Sequence, residues 1–172
     1  MIFNLANVLT LSRIFFVIPI TVLTLLGESY YIPALVIFVI AAMTDMFDGM
    51  AARKSNQVSD FGKIMDQVCD KILINSIFIL FIAISKVPAW FVVILVGRDT
   101  FVNGMRTLLA GKKIVVAADK LGKLKTVLEI ALIICVYSQL FGNIVESTLM
   151  YMTLIISVVS GLNYIIKNLK HI

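Results

Sequence analysis

Apolar runs of helix length recur six times along the chain, roughly Leu11–Leu26, Ile32–Thr44, Ile72–Ile84, Ala89–Leu109, Val127–Phe141 and Leu149–Ile166. Several fall short of the roughly 20 residues that a membrane-crossing helix needs. They reach that length only when the polar stretches on their flanks are included. The extension places Asp45, Asp48, Asp66 and Asp70 inside spans or at their mouths. Six spans leave little chain for loops, so the pattern predicts one all-α membrane domain over residues 1–172. There is no internal repeat, low-complexity tract or long linker.

Composition supports this reading. Hydrophobic residues make up 60% of the 172 positions and the mean hydropathy is +1.03, far above a soluble domain. Lys and Arg then set an orientation. The connections near Gly27–Tyr31 and Gly142–Glu146 carry none, and the turn at Lys86–Pro88 carries one. Arg53, Lys54, Lys63, Lys112, Lys113, Lys120, Lys123, Lys125, Lys167 and Lys170 gather on the other side. The positive-inside rule therefore puts both termini and the acid-rich loop in the cytoplasm. The net charge of +5 reads as topology and contact with anionic lipid. Nucleic acid is not an expected partner, because the basic residues flank spans and no binding motif accompanies them.

Arg13 follows an apolar stretch instead of preceding one, and no small-residue cleavage site appears, so the start does not read as a secretory signal. Cys69 and Cys135 lie inside predicted spans without CxxC spacing and read as reduced packing residues. Gly97, Gly104 and Gly111 repeat every seven residues and are expected to let a neighbouring helix approach closely.

The chemistry concentrates in one stretch, Asp45-Met46-Phe47-Asp48-Gly49-Met50-Ala51-Ala52-Arg53 followed by Gly62, Asp66 and Asp70. As spacing this is D-x2-D-G-x2-A-R-x8-G-x3-D-x3-D. Ionised Asp within a membrane segment costs a few kcal/mol at least, so such residues face a cavity and usually serve a function. Asp45 and Asp48 share one helix face, and Gly62, Asp66 and Asp70 form a second stripe. Four crowded carboxylates raise one another's pKa values, a conflict that a divalent cation removes. Hard oxygen donors select Mg²⁺ or Mn²⁺, and four of them suit two ions bridging a diphosphate. Gly49, Ala52 and Gly62 leave gaps for a ligand, and Arg53 offers a fixed cation to a phosphate. The plain alternative is structural salt bridging of the acids by Arg53, Lys54 and Lys63.

Asp45 to Asp70 resembles the signature of the CDP-alcohol phosphatidyltransferases at every position and in both spacings. The resemblance implies a six-span fold over nearly the whole chain. It also implies displacement of CMP from a CDP-lipid by an alcohol hydroxyl, with two divalent metals held by Asp45, Asp48, Asp66 and Asp70. Asp70 would be the base on the acceptor hydroxyl, and Gly49, Ala52, Arg53 and Gly62 would bind the CDP-lipid. A carboxylate base agrees with the sequence, whose single histidine is His171.

The acceptor must be read elsewhere. Arg98 lies deep in the fourth span and Arg106 about two turns nearer the cytoplasm. Adjacent helix residues point apart, so Asp99 is not expected to neutralise Arg98, whereas Asp99, Asn103 and Arg106 share a face. Basic residues recur in Asp119-Lys120-Leu121-Gly122-Lys123-Leu124-Lys125-Thr126. Gly122–Thr126 resembles the G-K-x-K-T segment of bacterial phosphatidylglycerophosphate synthases, as do Arg98-Asp99 with Arg106 and the opening Asn4–Arg13. Ala6 replaces a usual proline at the start of an interfacial N-terminal helix, and Glu129 stands where glutamine is common. The resemblance implies glycerol 3-phosphate as acceptor, its phosphate bound by Arg98, Arg106, Lys123 and Lys125. It further implies CDP-diacylglycerol as donor, phosphatidylglycerol phosphate and CMP as products, and a homodimer in a bacterial-type cell membrane. Inositol phosphate, serine or a lipid are alternative acceptors. A small cation transporter is the reading from another class, although its acids should be spread along a path through the membrane.

Overall fold

The computed structural model describes residues 5–54, 60–112 and 120–169, with side chains given at 15–44, 71–109, 111–112 and 120–169. The described backbone is helical throughout its elements, with no strand: α1 (Leu5–Leu26), α2 (Tyr31–Lys54), α3 (Asp60–Ala83), α4 (Ala89–Gly111), α5 (Lys120–Ser138) and α6 (Asn143–Asn168), plus a 3₁₀ turn at Glu28–Tyr30. These helices hold between 19 and 26 residues, or about 28–39 Å at 1.5 Å per residue. The polar flanks join the apolar runs, as the length argument required.

Among the described residues, the opening stretch and the first apolar run join in one continuous helix, Leu5–Leu26. Nothing from Leu5 to Ile18 breaks a helix, and Ala6 is itself a strong helix former. Pro19 falls within α1, where it removes one backbone donor.

The chain divides into two compact units, Met1–Ile84 and Ser85–Ile172. In the first, α1 packs against both α2 and α3. Ala34, Phe38 and Ala41 form the buried stripe of α2, and Leu73, Ile74, Ile77, Phe78 and Phe81 that of α3. The Phe78 and Phe81 rings meet edge to face at 6.0 Å. Gly27 has φ 116°, a left-handed backbone that glycine adopts without strain, and it turns the chain from α1 towards α2.

In the second unit, α6 packs against both α4 and α5. Its buried face is small and polar: Thr153, Ser157, Ser160, Gly161, Tyr164 and Asn168. Its exposed face is apolar, with Tyr151, Met152, Ile155, Val159, Leu162 and Ile166. That inversion suits a helix whose outer surface meets lipid, where helix contacts favour small and hydrogen-bonding residues. The buried hydroxyl of Thr153 donates to the Leu149 carbonyl at 2.7 Å, and Ser160 to the Ser157 carbonyl at 3.0 Å. Among the described residues, α6 is the one helix whose length and unbroken apolar stretch suffice by themselves to cross a membrane.

Candidate active site

The described residues of the acid motif sit on two helices. Helix α2 runs through Asp45 and Asp48 to Lys54, and α3 starts at Asp60, ahead of Gly62, Asp66 and Asp70. Residues three apart on a helix are rotated by about 60° and four apart by about 40°. Asp45 with Asp48, and Gly62 with Asp66 and Asp70, therefore occupy two stripes, at the register positions the spacing implied. The side chains of Asp45, Asp48, Ala52, Arg53, Asp66 and Asp70, and the surroundings of Gly49 and Gly62, lie outside the described residues, as does the connection 55–59. Among the described side chains, no cluster of three or more acids, histidines or cysteines could hold a metal ion.

The second unit places its charged residues in detail. Lys125 and Glu129 are one helical turn apart on α5, and Lys125 Nζ lies 2.7 Å from Glu129 Oε1. The same ammonium donates to Asp99 Oδ1 on α4 at 2.5 Å. Arg98 Nη1 donates to that Asp99 oxygen at 3.0 Å, and Arg98 Nη2 donates to Ser160 Oγ on α6 at 2.8 Å. Lys125, Asp99 and Glu129 are each about 1% exposed or less, and Arg98 15%. Four charged side chains and one hydroxyl thus tie α4, α5 and α6 together. Charges this deeply desolvated persist only with close partners, and each of these has one.

One sequence expectation is corrected here. Arg98 and Asp99 do pair, because the long guanidinium side chain folds back across the helix surface to its neighbour's carboxylate. The helical offset applies to Cβ directions, and Arg reaches well beyond its Cβ. Arg106 does not pair with Asp99. Its guanidinium lies over the Tyr164 ring, 5.8 Å from the centroid, a cation–π arrangement. The Nε of Arg106 and of Arg98 are buried without a hydrogen-bond acceptor among the described residues.

A Cβ at Gly97, Gly104 or Gly111 would meet nothing within 4 Å among the described residues. The tight position is Gly161 on α6, where a Cβ would come within 3.0 Å of Arg98 Cγ. The stem of Arg98 lies flat against the helix where Gly161 has no side chain. Of the four cations expected near an acceptor phosphate, Arg98 and Lys125 are joined through Asp99, Arg106 stands on Tyr164, and Lys123 is exposed. Cys135 is buried as a free thiol. Ser160, Gly161 and Tyr164 were not picked out from the sequence. Their signal is the polar and small stripe every three to four residues through an otherwise apolar α6.

Comparison with known proteins supplies the lineage. A family profile described as CDP-alcohol phosphatidyltransferase matches residues 3–159. The chain belongs to this family. The matched span contains the whole acid motif and both cation-bearing helices, α4 and α5. The chain is also similar to two bacterial proteins named CDP-diacylglycerol--glycerol-3-phosphate 3-phosphatidyltransferase. That of Bacillus subtilis strain 168 is 36% identical, with 96% of this chain and 95% of the relative covered. That of Rickettsia bellii is 34% identical, with 94% and 93% covered.

Proposed function

We propose that the protein transfers a phosphatidyl group from CDP-diacylglycerol to sn-glycerol 3-phosphate, releasing CMP and forming phosphatidylglycerol phosphate. The observation that carries this reading is the near full-length similarity to relatives named for that reaction, at 36% and 34% identity. A hydroxyl oxygen of the acceptor attacks the β-phosphorus of the donor, and the bond from that phosphorus to the CMP oxygen breaks. Asp70 takes the hydroxyl proton. Arg53 balances charge on the departing CMP, and Gly49, Ala52 and Gly62 leave room for the nucleotide beside the helices.

The donor set of Asp45, Asp48, Asp66 and Asp70 is all carboxylate, which fits Mg²⁺ or Mn²⁺. Two such ions, when bound, supply Lewis-acid polarisation of the diphosphate. Arg98, Arg106, Lys123 and Lys125 receive the acceptor's phosphate, and the buried, unaccepted Nε donors of Arg98 and Arg106 support a role for both.

We further read all six helices as membrane spans, with both termini and the acid motif on the cytoplasmic side and the protein a homodimer in a bacterial cell membrane. Support comes from helices of at least 19 residues, from their exposed apolar faces, and from the placement of Lys and Arg. The test is an acceptor screen with purified protein and labelled CDP-diacylglycerol. Glycerol 3-phosphate should be used, while glycerol, serine and inositol phosphate should be poor. Preference for serine or inositol phosphate would overturn the acceptor and leave the transferase reading in place.

A further inference from the structure

The buried charged group on α4 and α5 includes one residue that the acceptor reading does not use, Glu129. Among the described residues, this buried group holds two positive charges, Arg98 and Lys125, and two negative ones, Asp99 and Glu129. Glu129 is 0% exposed and its Oε1 lies 2.7 Å from Lys125 Nζ. Asp99 is already shared between Lys125 and Arg98, at 2.5 and 3.0 Å from the same oxygen. Removing the Glu129 charge would make this desolvated place more positive by one unit, and attraction for an anion there is strong. A neutral side chain of the same shape at 129 would leave the Lys125–Asp99 contact in place.

We propose that Glu129 is a specificity-determining residue that competes with the acceptor's phosphate for Lys125 and so sets the acceptor affinity. The proposal rests on the acceptor reading above, in which Lys125 receives a phosphate. An incoming phosphate dianion must draw Lys125 away from a carboxylate that already holds it, and the loss of that contact is subtracted from the binding free energy. Glu129 acts on the affinity for the anionic acceptor and has no part in the bond changes at the β-phosphorus.

The experiment compares wild type, Glu129→Gln, Glu129→Ala and Glu129→Asp as purified, full-length proteins in lipid nanodiscs. Glu129→Gln should lower KM for glycerol 3-phosphate by about tenfold, the scale of one charge-assisted contact. KM for CDP-diacylglycerol should stay at the wild-type value. Glu129→Ala should shift KM for glycerol 3-phosphate in the same direction, and Glu129→Asp, which keeps the charge, should remain near wild type. A merely structural role would not improve the affinity for one substrate alone. An unchanged or raised KM for glycerol 3-phosphate in the folded Gln and Ala variants overturns the proposal. Direct titration with inorganic phosphate separates this from the functional reading. If the wild type proves inactive with glycerol 3-phosphate, that reading fails, yet tighter phosphate binding by Glu129→Gln still supports the competition and equal binding refutes it.

Discussion

Lys125 Nζ on α5 and Asp99 Oδ1 on α4 lie 2.5 Å apart, both side chains about 1% exposed. Breaking a buried pair by removing one partner strands a desolvated charge and costs roughly 3–5 kcal/mol. Asp99→Ala leaves Lys125 and Arg98 without their shared acceptor, and should lower thermal stability in detergent by that order. Lys125→Met in the same chain should recover part of the loss. An additive double variant would show that the two residues are not coupled.

Helix α6 makes a second, purely steric prediction. A Cβ at Gly161 would stand 3.0 Å from Arg98 Cγ, and Arg98 is held in place by Asp99 and Ser160. Gly161→Leu should therefore overpack the site and cost about 1–3 kcal/mol. Gly104→Ala meets nothing within 4 Å among the described residues and should be neutral or stabilising by up to about 1 kcal/mol. Thermal melts of the two variants, side by side, distinguish the tight glycine from the ordinary one. Equal losses would refute the packing account.

Arg106 tests whether the cation above Tyr164 serves the acceptor. Arg106→Ala should raise KM for glycerol 3-phosphate about tenfold or more, since a charge-assisted hydrogen bond is worth ~1.5–3 kcal/mol. Affinity for CDP-diacylglycerol should be nearly spared. Tyr164→Leu should raise the same KM by only about two- to fivefold, because an exposed or half-buried cation–π contact contributes ~0.5–1 kcal/mol. Steady-state kinetics with glycerol 3-phosphate as the varied substrate reads both. Normal KM in both variants would return Arg106 to a structural role.

The acid motif predicts metal dependence. Chelation with EDTA should abolish turnover, and Mg²⁺ or Mn²⁺ should restore it. Asp48→Asn and Asp66→Asn should each be inactive while remaining folded. Asp70→Asn should lose ~10²–10⁴-fold in kcat, the usual contribution of a general base, while still binding CDP-diacylglycerol. Equal loss of donor binding in Asp66→Asn and Asp70→Asn would make Asp70 a ligand before anything else.

The helices were legible because their apolar runs are long and their ends coincide with breakers or polar turns. Gly27, Pro88 and Gly142 stand between α1 and α2, α3 and α4, and α5 and α6. The helical extension through Asp45–Lys54 and Asp60–Asp70 followed from span length alone. The contacts were less legible. The Arg98–Asp99 pair was dismissed on Cβ geometry, which ignores how far a guanidinium reaches. The buried stripe of α6 was hidden inside an apolar stretch, since Ser, Thr and Gly barely lower its hydropathy. The link of Lys125 to both Glu129 and Asp99 needed the fold.

The account stands most directly on where the phosphatidyl group goes. Purified protein in Mg²⁺ with unlabelled CDP-diacylglycerol and glycerol 3-phosphate labelled in its carbons should move label into the lipid phase, one mole for each mole of CMP released. The labelled lipid should have the mass of phosphatidylglycerol phosphate. CMP release that is independent of glycerol 3-phosphate, or label that stays in the aqueous phase while another alcohol is lipidated, would contradict the account.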